Sequence, residues 1–469
     1  MIELSLAEIA GAVAGTLADG ARPGVTVTGA VRIDSRAVGP GDLFVALPGE
    51  HADGHDFAGE ALDACAVAVL AARPVGGPAV LVGDPLHALG QLARVVRQRL
   101  QQLMVIGVTG SSGKTSTKDL LAAVMAAAGP SHAPHGSFNN ELGVPLTILE
   151  ADEQTRFLVL EMGSRGVGHI DYLCRIAQPD VGIVLNVGAA HAGEFGGRDI
   201  TAKAKGELVA SLPANGLAVL NGDDELVAGM AGRTQARVVL TSTAAPPAPS
   251  STITAGQIVT DEQACASFQL HTPRGQAGVR LRVHGVHQVS NALAAAAAGL
   301  AAGLTPQQVA EALSGATAAS QWRMEVTRRA DGLTVVNDAY NANPDSMAAA
   351  LQALAAMAAH DPSVRRIAVL GEMLELGDEA EAGHEGVGKL AASLGIEVIA
   401  VGAGAAGIAK GASAVDGAQH SVAASAEEAI IQLERSTGPG DLVLVKASRA
   451  VALERVAEAL LRVGTVKSG

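Results

Sequence analysis

The sequence predicts an α/β protein of several domains, and three observations predict it. The chain has 469 residues, too many for one hydrophobic core and enough for roughly two to four domains. From Met104 onward, short aliphatic runs alternate with amphipathic helical stretches, as a parallel sheet covered on both faces requires. The composition is 48% hydrophobic but only 2% aromatic, so the core has to be built from aliphatic side chains.

Taken in order, the first ~98 residues mix short apolar strands with Gly/Pro turns, as in DLFVALPGE (42–50), and close with the helical run HALGQLARVVRQRLQQL (87–103). The next strands are MVIGVT (104–109), FLVLEM (157–162), VGIVLNV (181–187) and GLAVLN (216–221). Residues 241–256, TSTAAPPAPSSTITAG, read as a turn-rich insertion. A second α/β alternation follows Trp322, with strands at 333–338, 366–371, 397–402 and 441–446. Boundaries near residues 100 and 320 divide the chain into 1–99, 100–319 and 320–469.

Charge excludes some classes. There are 33 basic and 47 acidic residues, a net charge of −14, so neither a nucleic-acid backbone nor an anionic membrane is an expected partner. Cys65, Cys174 and Cys265 are widely spaced and odd in number, which argues against a disulfide framework and a cysteine zinc cluster. The start MIELSLAEIAGAVAG is acidic without Lys or Arg, unlike a secretory signal. The Ala-rich run 292–302 falls short of the ~20 residues of a membrane span. A cytoplasmic monomer without membrane insertion is expected.

The segment VTGSSGKTSTKDLL (108–121) carries the chemistry. A buried strand enters a Gly-rich turn and then an apolar-periodic helix. In such a loop, backbone N–H groups of Thr109, Gly110, Ser111, Ser112 and Gly113 face phosphate oxygens, and the helix N-terminus adds partial positive charge. Lys114 would reach the terminal phosphates of ATP, and the Thr115 hydroxyl would ligate Mg²⁺. The loop is shorter than the usual pattern, with Val108 where a first Gly is customary. Glu161 ends one strand and His191 follows another, and strand C-termini line the crevice of an open α/β sheet. A carboxylate and an imidazole there would serve a second metal; alone, each reads more often as a solvated loop residue, and their shared strand-end placement beside the loop reverses that preference.

These segments, with SFNNELGVPLTIL (137–149), LEMG (160–163), NVGAAHAGEFG (186–196), AKAKGEL (202–208) and NDAYNANPDSM (337–347), resemble the Mur ligases. IDSRAVGPGDLFVALPGEHADGHDF (33–57), GEMLELG with His384, and KASRAVALE (446–454) extend the resemblance over nearly the whole chain. It implies three domains: a small α/β unit for the uridine-diphosphate end of the substrate, a central P-loop ATPase with a mostly parallel sheet, and a Rossmann-like C-terminal unit. It implies ATP-dependent amide formation in cytoplasmic peptidoglycan precursor synthesis. The member with the most similar motifs joins D-Ala-D-Ala to UDP-MurNAc-tripeptide through an acyl phosphate. The resemblance places Lys114, Glu161, His191 and Lys205 in catalysis, and Thr115, Glu161, His191 and Lys205 around metal. Lys205, rather than Lys203, aligns with a lysine that CO₂ carbamylates. Asn291, Arg323, Asp338, Tyr340 and Asn343 are implied nucleotide contacts. Ser35 and Arg36 are implied for the uridine nucleotide, and Asn139, Asn140, Lys446 and Ser448 for substrate. Three positions depart from the family pattern: His169, Glu372, and Ala447, which stands where Gly is frequent.

Two signals are set aside. GAGAAG (402–407) follows a strand but has no acidic residue about twenty positions on at a plausible strand end, so it reads as a tight turn. His51 and His55 lack a third ligand and read as loop residues. Rival functions are the family member that adds the third amino acid, whose Asp-Asn-Pro-Arg motif is absent, and a nucleotide-dependent regulatory protein. The few aromatics, Phe44, Phe57, Phe138, Phe195, Trp322 and Tyr340 above all, are expected to cluster around ligand sites.

Overall fold

The computed structural model describes residues 1–18, 20–49, 52–188, 197–244, 252–359, 361 and 363–462. Three α/β units follow one another along the chain. The first holds a five-stranded sheet in the order Thr16–Ala18, Ala79–Leu81, Ala68–Ala71, Leu43–Val45, Val31–Arg32, antiparallel only at its first pair. Its closing helix is Pro85–Arg99. Asp84 caps it, accepting from the N–H groups of Leu86 and His87, and Pro85 supplies a preset φ at the first position. The helix buries Leu89, Leu92 and Val96 in a core shared with Leu158, Leu160 and Ile170 of the next unit. Fully burying such side chains contributes roughly 1.5–3 kcal/mol each, so the first unit is fixed to the second by the same apolar contacts that close it.

The central sheet has nine strands, ordered Gly275–His284, Cys265–Thr272, Thr252–Thr260, Arg237–Ser242, Leu217–Asn221, Val181–Val184, Met104–Thr109, Phe157–Glu161 and Ser131–His132. The four strands expected from the sequence lie parallel at its middle. The edge corrects the sequence reading. Residues from Thr252 onward, expected to continue a turn-rich insertion, form a strand; Cys265–Thr272 pairs antiparallel with it, and Gly275–His284 pairs antiparallel with Cys265–Thr272 in turn. Gly275–His284 buries Ala277, Val279, Leu281 and Val283 and exposes the residues between. A search for continuous apolar runs misses this period-2 signature of a sheet with one wet face.

The third unit is a six-stranded sheet in the order Glu325–Arg328, Thr334–Asn337, Leu442–Lys446, Arg366–Leu370, Glu397–Val401, His420–Ala423, parallel after its first pair. Helices cover both faces. Among the described residues, no helix is long and apolar enough to cross a membrane.

Candidate active site

Strand Met104–Thr109 passes through the Gly-rich turn into helix Lys114–Ala128. The turn depends on Gly113, whose φ is +81° and whose missing Cβ would stand 2.8 Å from Asn291 Oδ1. The neighbouring strand end staples the loop: Ser112 N–H donates to Asn186 Oδ1 at 2.9 Å, Ser111 N–H to Asn186 O at 3.1 Å, and Gly188 N–H to Ser111 Oγ at 2.9 Å. Thr109 is buried at the strand end. Lys114 folds back, donating from Nζ to Gly110 O at 2.7 Å. Loss of hydration lowers the Lys114 pKa most; Glu161 opposes that shift and Arg323 adds to it.

Glu161 pairs in parallel register with Val108, so its carboxylate emerges beside the loop. It is 1% exposed. Oε2 accepts from Thr115 Oγ1 at 2.9 Å, and Oε1 accepts from Ser137 Oγ at 2.7 Å and Asn139 Nδ2 at 2.9 Å. A hydroxyl on the helix and a carboxylate fixed by three donors form the hard oxygen set that suits Mg²⁺. Helix Arg198–Ala210 brings Lys205 to the same cavity of about 300 Å³. Lys205 is buried whereas Lys203 is exposed. Among the described residues its amine has no hydrogen-bond acceptor and no ion-pair partner. Burial first, and the Lys114 charge second, push its pKa down to about 7.

The third unit closes the cavity. Arg323 donates from Nη2 to Thr115 Oγ1 at 3.2 Å, and its guanidinium lies 4.2 Å over the Tyr340 ring. Asp338 Oδ2 is 2.6 Å from the buried Lys446 Nζ, which also donates to Asn341 O at 2.8 Å. Asn291 lies beside Gly113 and donates to Gln288 Oε1 at 2.9 Å. His287, next to that pair, is held neutral, its pKa pushed down by burial to about 4.

Other expected residues take different places. Asn343 caps helix Pro344–Met357 through Ser346, so its Oδ1 is engaged although it lines the cavity. Asn140 Oδ1 likewise accepts from the N–H of Gly143 at the start of the next helix. Ser448 Oγ accepts from Leu374 N–H and is buried behind the site. Ser35 donates to Glu60, and the exposed Arg36 forms a bidentate pair with Asp34, both away from the phosphate loop. His191 and Phe195 lie outside the described residues, as does His51. His55 corrects the loop reading: it is buried, with Nδ1 2.6 Å from Asp53 Oδ1 and Nε2 accepting from Ala72 N–H. The aromatic expectation fails too. Of the described aromatics only Tyr340 lines the cavity at the Gly-rich loop; Trp322 lies under the Arg449 guanidinium beside Arg323, Tyr172 lines a separate cavity, Phe44, Phe157 and Phe268 are core, and Phe57 and Phe138 are exposed. The sequence reading missed Ser137 and Asn186 as organisers of the site. Both lie inside motifs it quoted, and their polarity beside a phosphate loop was the available signal.

The fold and site define a nucleotide-dependent enzyme of three α/β units, the second and third of which meet at one Gly-rich loop. The descriptions "Mur ligase family, catalytic domain", "Mur ligase middle domain" and "Mur ligase, glutamate ligase domain" match residues 28–97, 108–299 and 322–449. The chain belongs to the Mur ligase family. It is 48% identical over 504 aligned residues to the UDP-N-acetylmuramoyl-tripeptide–D-alanyl-D-alanine ligase of Mycobacterium tuberculosis strain H37Rv, covering 98% of each chain. Among solved structures, MurF from Acinetobacter baumannii superposes with a TM-score of 0.87 at 32% identity, covering 98% of this chain and 99% of that one. MurF from Thermotoga maritima in complex with ADP gives 0.78 at 28% identity, covering 93% and 98%.

Proposed function

We propose that the protein is an ATP-dependent ligase that joins D-Ala-D-Ala to UDP-MurNAc-tripeptide in peptidoglycan precursor synthesis. The observation that carries this reading is the convergence of Lys114, Thr115, Glu161, Lys205 and Arg323 on one cavity at the end of the phosphate loop. The near end-to-end likeness to ligases named for this reaction supports the choice of substrates. Residues 1–99 would hold the uridine end, with Ser35 and Arg36 as contacts, 100–319 the nucleotide, and 320–469 would close over both.

The terminal carboxylate of the tripeptide attacks the γ-phosphorus of ATP, ADP leaves, and an acyl phosphate forms. The amine of D-Ala-D-Ala then attacks the acyl carbon and loses a proton, and inorganic phosphate departs. Two anions have to meet in the first step, so the site needs positive charge where charge develops. Lys114 and Arg323, which line the same cavity, supply it. Mg²⁺, held by Thr115 and Glu161, would neutralise phosphate charge and orient its oxygens. His191 remains a proposed ligand from sequence. Lys205 is buried and near neutrality as a free amine, so it can add to CO₂, releasing a proton and becoming an anionic carbamate that faces the same cations. Asn139 and Lys446 act by holding Glu161 and Asp338 in place.

Phosphate release from ATP tests the reading. It should require UDP-MurNAc-tripeptide and be completed to stoichiometric product only with D-Ala-D-Ala. Product formed instead with a UDP-MurNAc-dipeptide and a free third amino acid would refute it.

A further inference from the structure

Two charged neighbours on the phosphate-loop helix are unused by the chemistry above. Lys118 and Asp119 are both buried and lie 2.8 Å apart, Nζ to Oδ1. Adjacent residues of a helix point about 100° apart, so this contact needs a cause outside the helix. Ser320, in the connection to the third unit, is that cause. Its Oγ accepts from Lys118 Nζ at 3.2 Å and donates to Asp119 Oδ1 at 3.1 Å. Asp119 Oδ2 also accepts the backbone N–H groups of Ser320 at 3.0 Å and Ala319 at 3.3 Å. The remaining reach of Lys118 goes to Pro134 O at 2.8 Å and Gly136 O at 3.1 Å.

Each anchored segment leads directly into the active site. One residue beyond Gly136 is Ser137, which with Asn139 fixes Glu161. Three residues beyond Ser320 is Arg323, which meets Thr115. The backbone on either side of Arg323 is left-handed at side-chain-bearing residues, with φ +56° at Trp322 and +50° at Met324. Such residues persist there only where surroundings over-determine the conformation. On the far side, the determinants are Met324 N–H on Asp338 Oδ1 at 3.0 Å and Tyr340 N–H on Trp322 O. On the near side they are the Asp119 contacts.

We propose that Lys118 and Asp119 are positioning residues: the pair pins the connection at Ser320 so that Arg323 addresses the nucleotide, and pins the 134–136 loop so that Glu161 stays beside Thr115. The inter-unit pivot is thereby attached to the helix that binds phosphate, and closure of the third unit rotates about a point one turn from Thr115. This rests on the functional reading above for its kinetic consequences, though not for its structural ones.

The test uses the full-length protein with Asp119→Asn, Ser320→Ala, Arg323→Ala and the Asp119→Asn/Arg323→Ala double variant. Trp322 is the sole tryptophan and sits at the pivot, so acrylamide quenching of its fluorescence in the nucleotide-free protein reports the anchor without any assay of turnover. Asp119→Asn and Ser320→Ala should both increase quenching. With ATP saturable, both should raise its KM and lower kcat, Asp119→Asn by about 10–100-fold as expected for a displaced reacting group, while KM for the UDP-substrate stays unchanged. In the Arg323→Ala background the further loss from Asp119→Asn should shrink to less than about threefold, because the two act through one group. Equal losses in both backgrounds, or unchanged quenching in Ser320→Ala, would overturn the proposal. Ser320→Ala keeps both buried charges, so it decides the matter if Asp119→Asn does not fold. If the unaltered protein makes no ligated product, the functional reading fails and quenching alone judges the anchor.

Discussion

The chain contains two strand–glycine–helix turns that look alike on paper, residues 109–115 and 402–407. In the first, Gly113 turns at φ +81° with Asn291 packed close against it, and the helix start it leads into opens on a cavity of about 300 Å³ lined by Lys114, Thr115, Glu161 and Arg323. In the second, side chains pack against the glycines. A Cβ on Gly404 would collide with the Glu372 carboxylate, and one on Gly407 would meet His384 Cβ at 2.9 Å. His384 is itself committed, accepting Met373 N–H at Nε2 and donating to Ala380 O from Nδ1. Glycines permit close packing in both turns, so what sets the first apart is the cavity with cations and a carboxylate in front of it.

The largest test of that contrast is Lys114→Ala. It should lower kcat by about 10²–10³-fold, in line with loss of one charge-stabilising group, with an unchanged circular dichroism spectrum; full activity would abolish the distinction. Next, Lys205→Met should cost about 10–100-fold in rate if the lysine carries a metal-facing carbamate. The free amine titrates near 7 in the folded chain against 10.5 unfolded. The folded state thus binds fewer protons across that interval, and the contribution of Lys205 to stability rises with pH from about 7 to 10.5. Melting curves of the bicarbonate-free protein and of Lys205→Met should diverge in that direction; parallel curves would contradict the assigned burial.

A smaller effect is expected for Gly113→Ala. A left-handed alanine costs about 1–2 kcal/mol, and Asn291 has to move. ATP KM should rise about tenfold, measured beside an unaltered KM for D-Ala-D-Ala. The smallest kinetic effect belongs to Gly404→Ala. It should lower stability by roughly 1 kcal/mol through displacement of Glu372, seen in denaturant midpoints, and leave ATP KM as it was. A changed ATP KM there would blur the comparison.

Much of this was legible in the sequence because the signals are local. The strand Met104–Thr109 and the helix after it need only an apolar run, a glycine turn and a period, and the turn chemistry at Gly113 follows from the same stretch. Parallel strands buried on both faces announce themselves as aliphatic runs, so four in the central unit and four in the third were readable, whereas the parallel Arg237–Ser242 and His420–Ala423, only partly buried, were not. The strand Gly275–His284 was not, since its alternation belongs to an antiparallel edge and follows a Pro-rich stretch. The roles of Ser137 and Asn186 were unreadable for another reason. A serine or asparagine in a loop has many partners within reach, and spacing does not say which one it meets. Ser35 and Arg36 show the converse, for the structure gives them the local partners Glu60 and Asp34.

By itself, then, the sequence determined the aliphatic α/β class, the phosphate loop with Lys114 and Thr115, and family membership, all carried by residues near one another in the chain. Only the tertiary structure decided that Lys205 is buried with its pKa near 7, that Arg323 reaches Thr115 across 208 positions, and that Asp119 grips the connection at Ser320. It also decided that, of the described aromatics, Phe44, Phe157 and Phe268 serve the core. Burial, charge proximity and shared hydrogen-bond partners depend on which elements pack together, and that is a property of the folded chain.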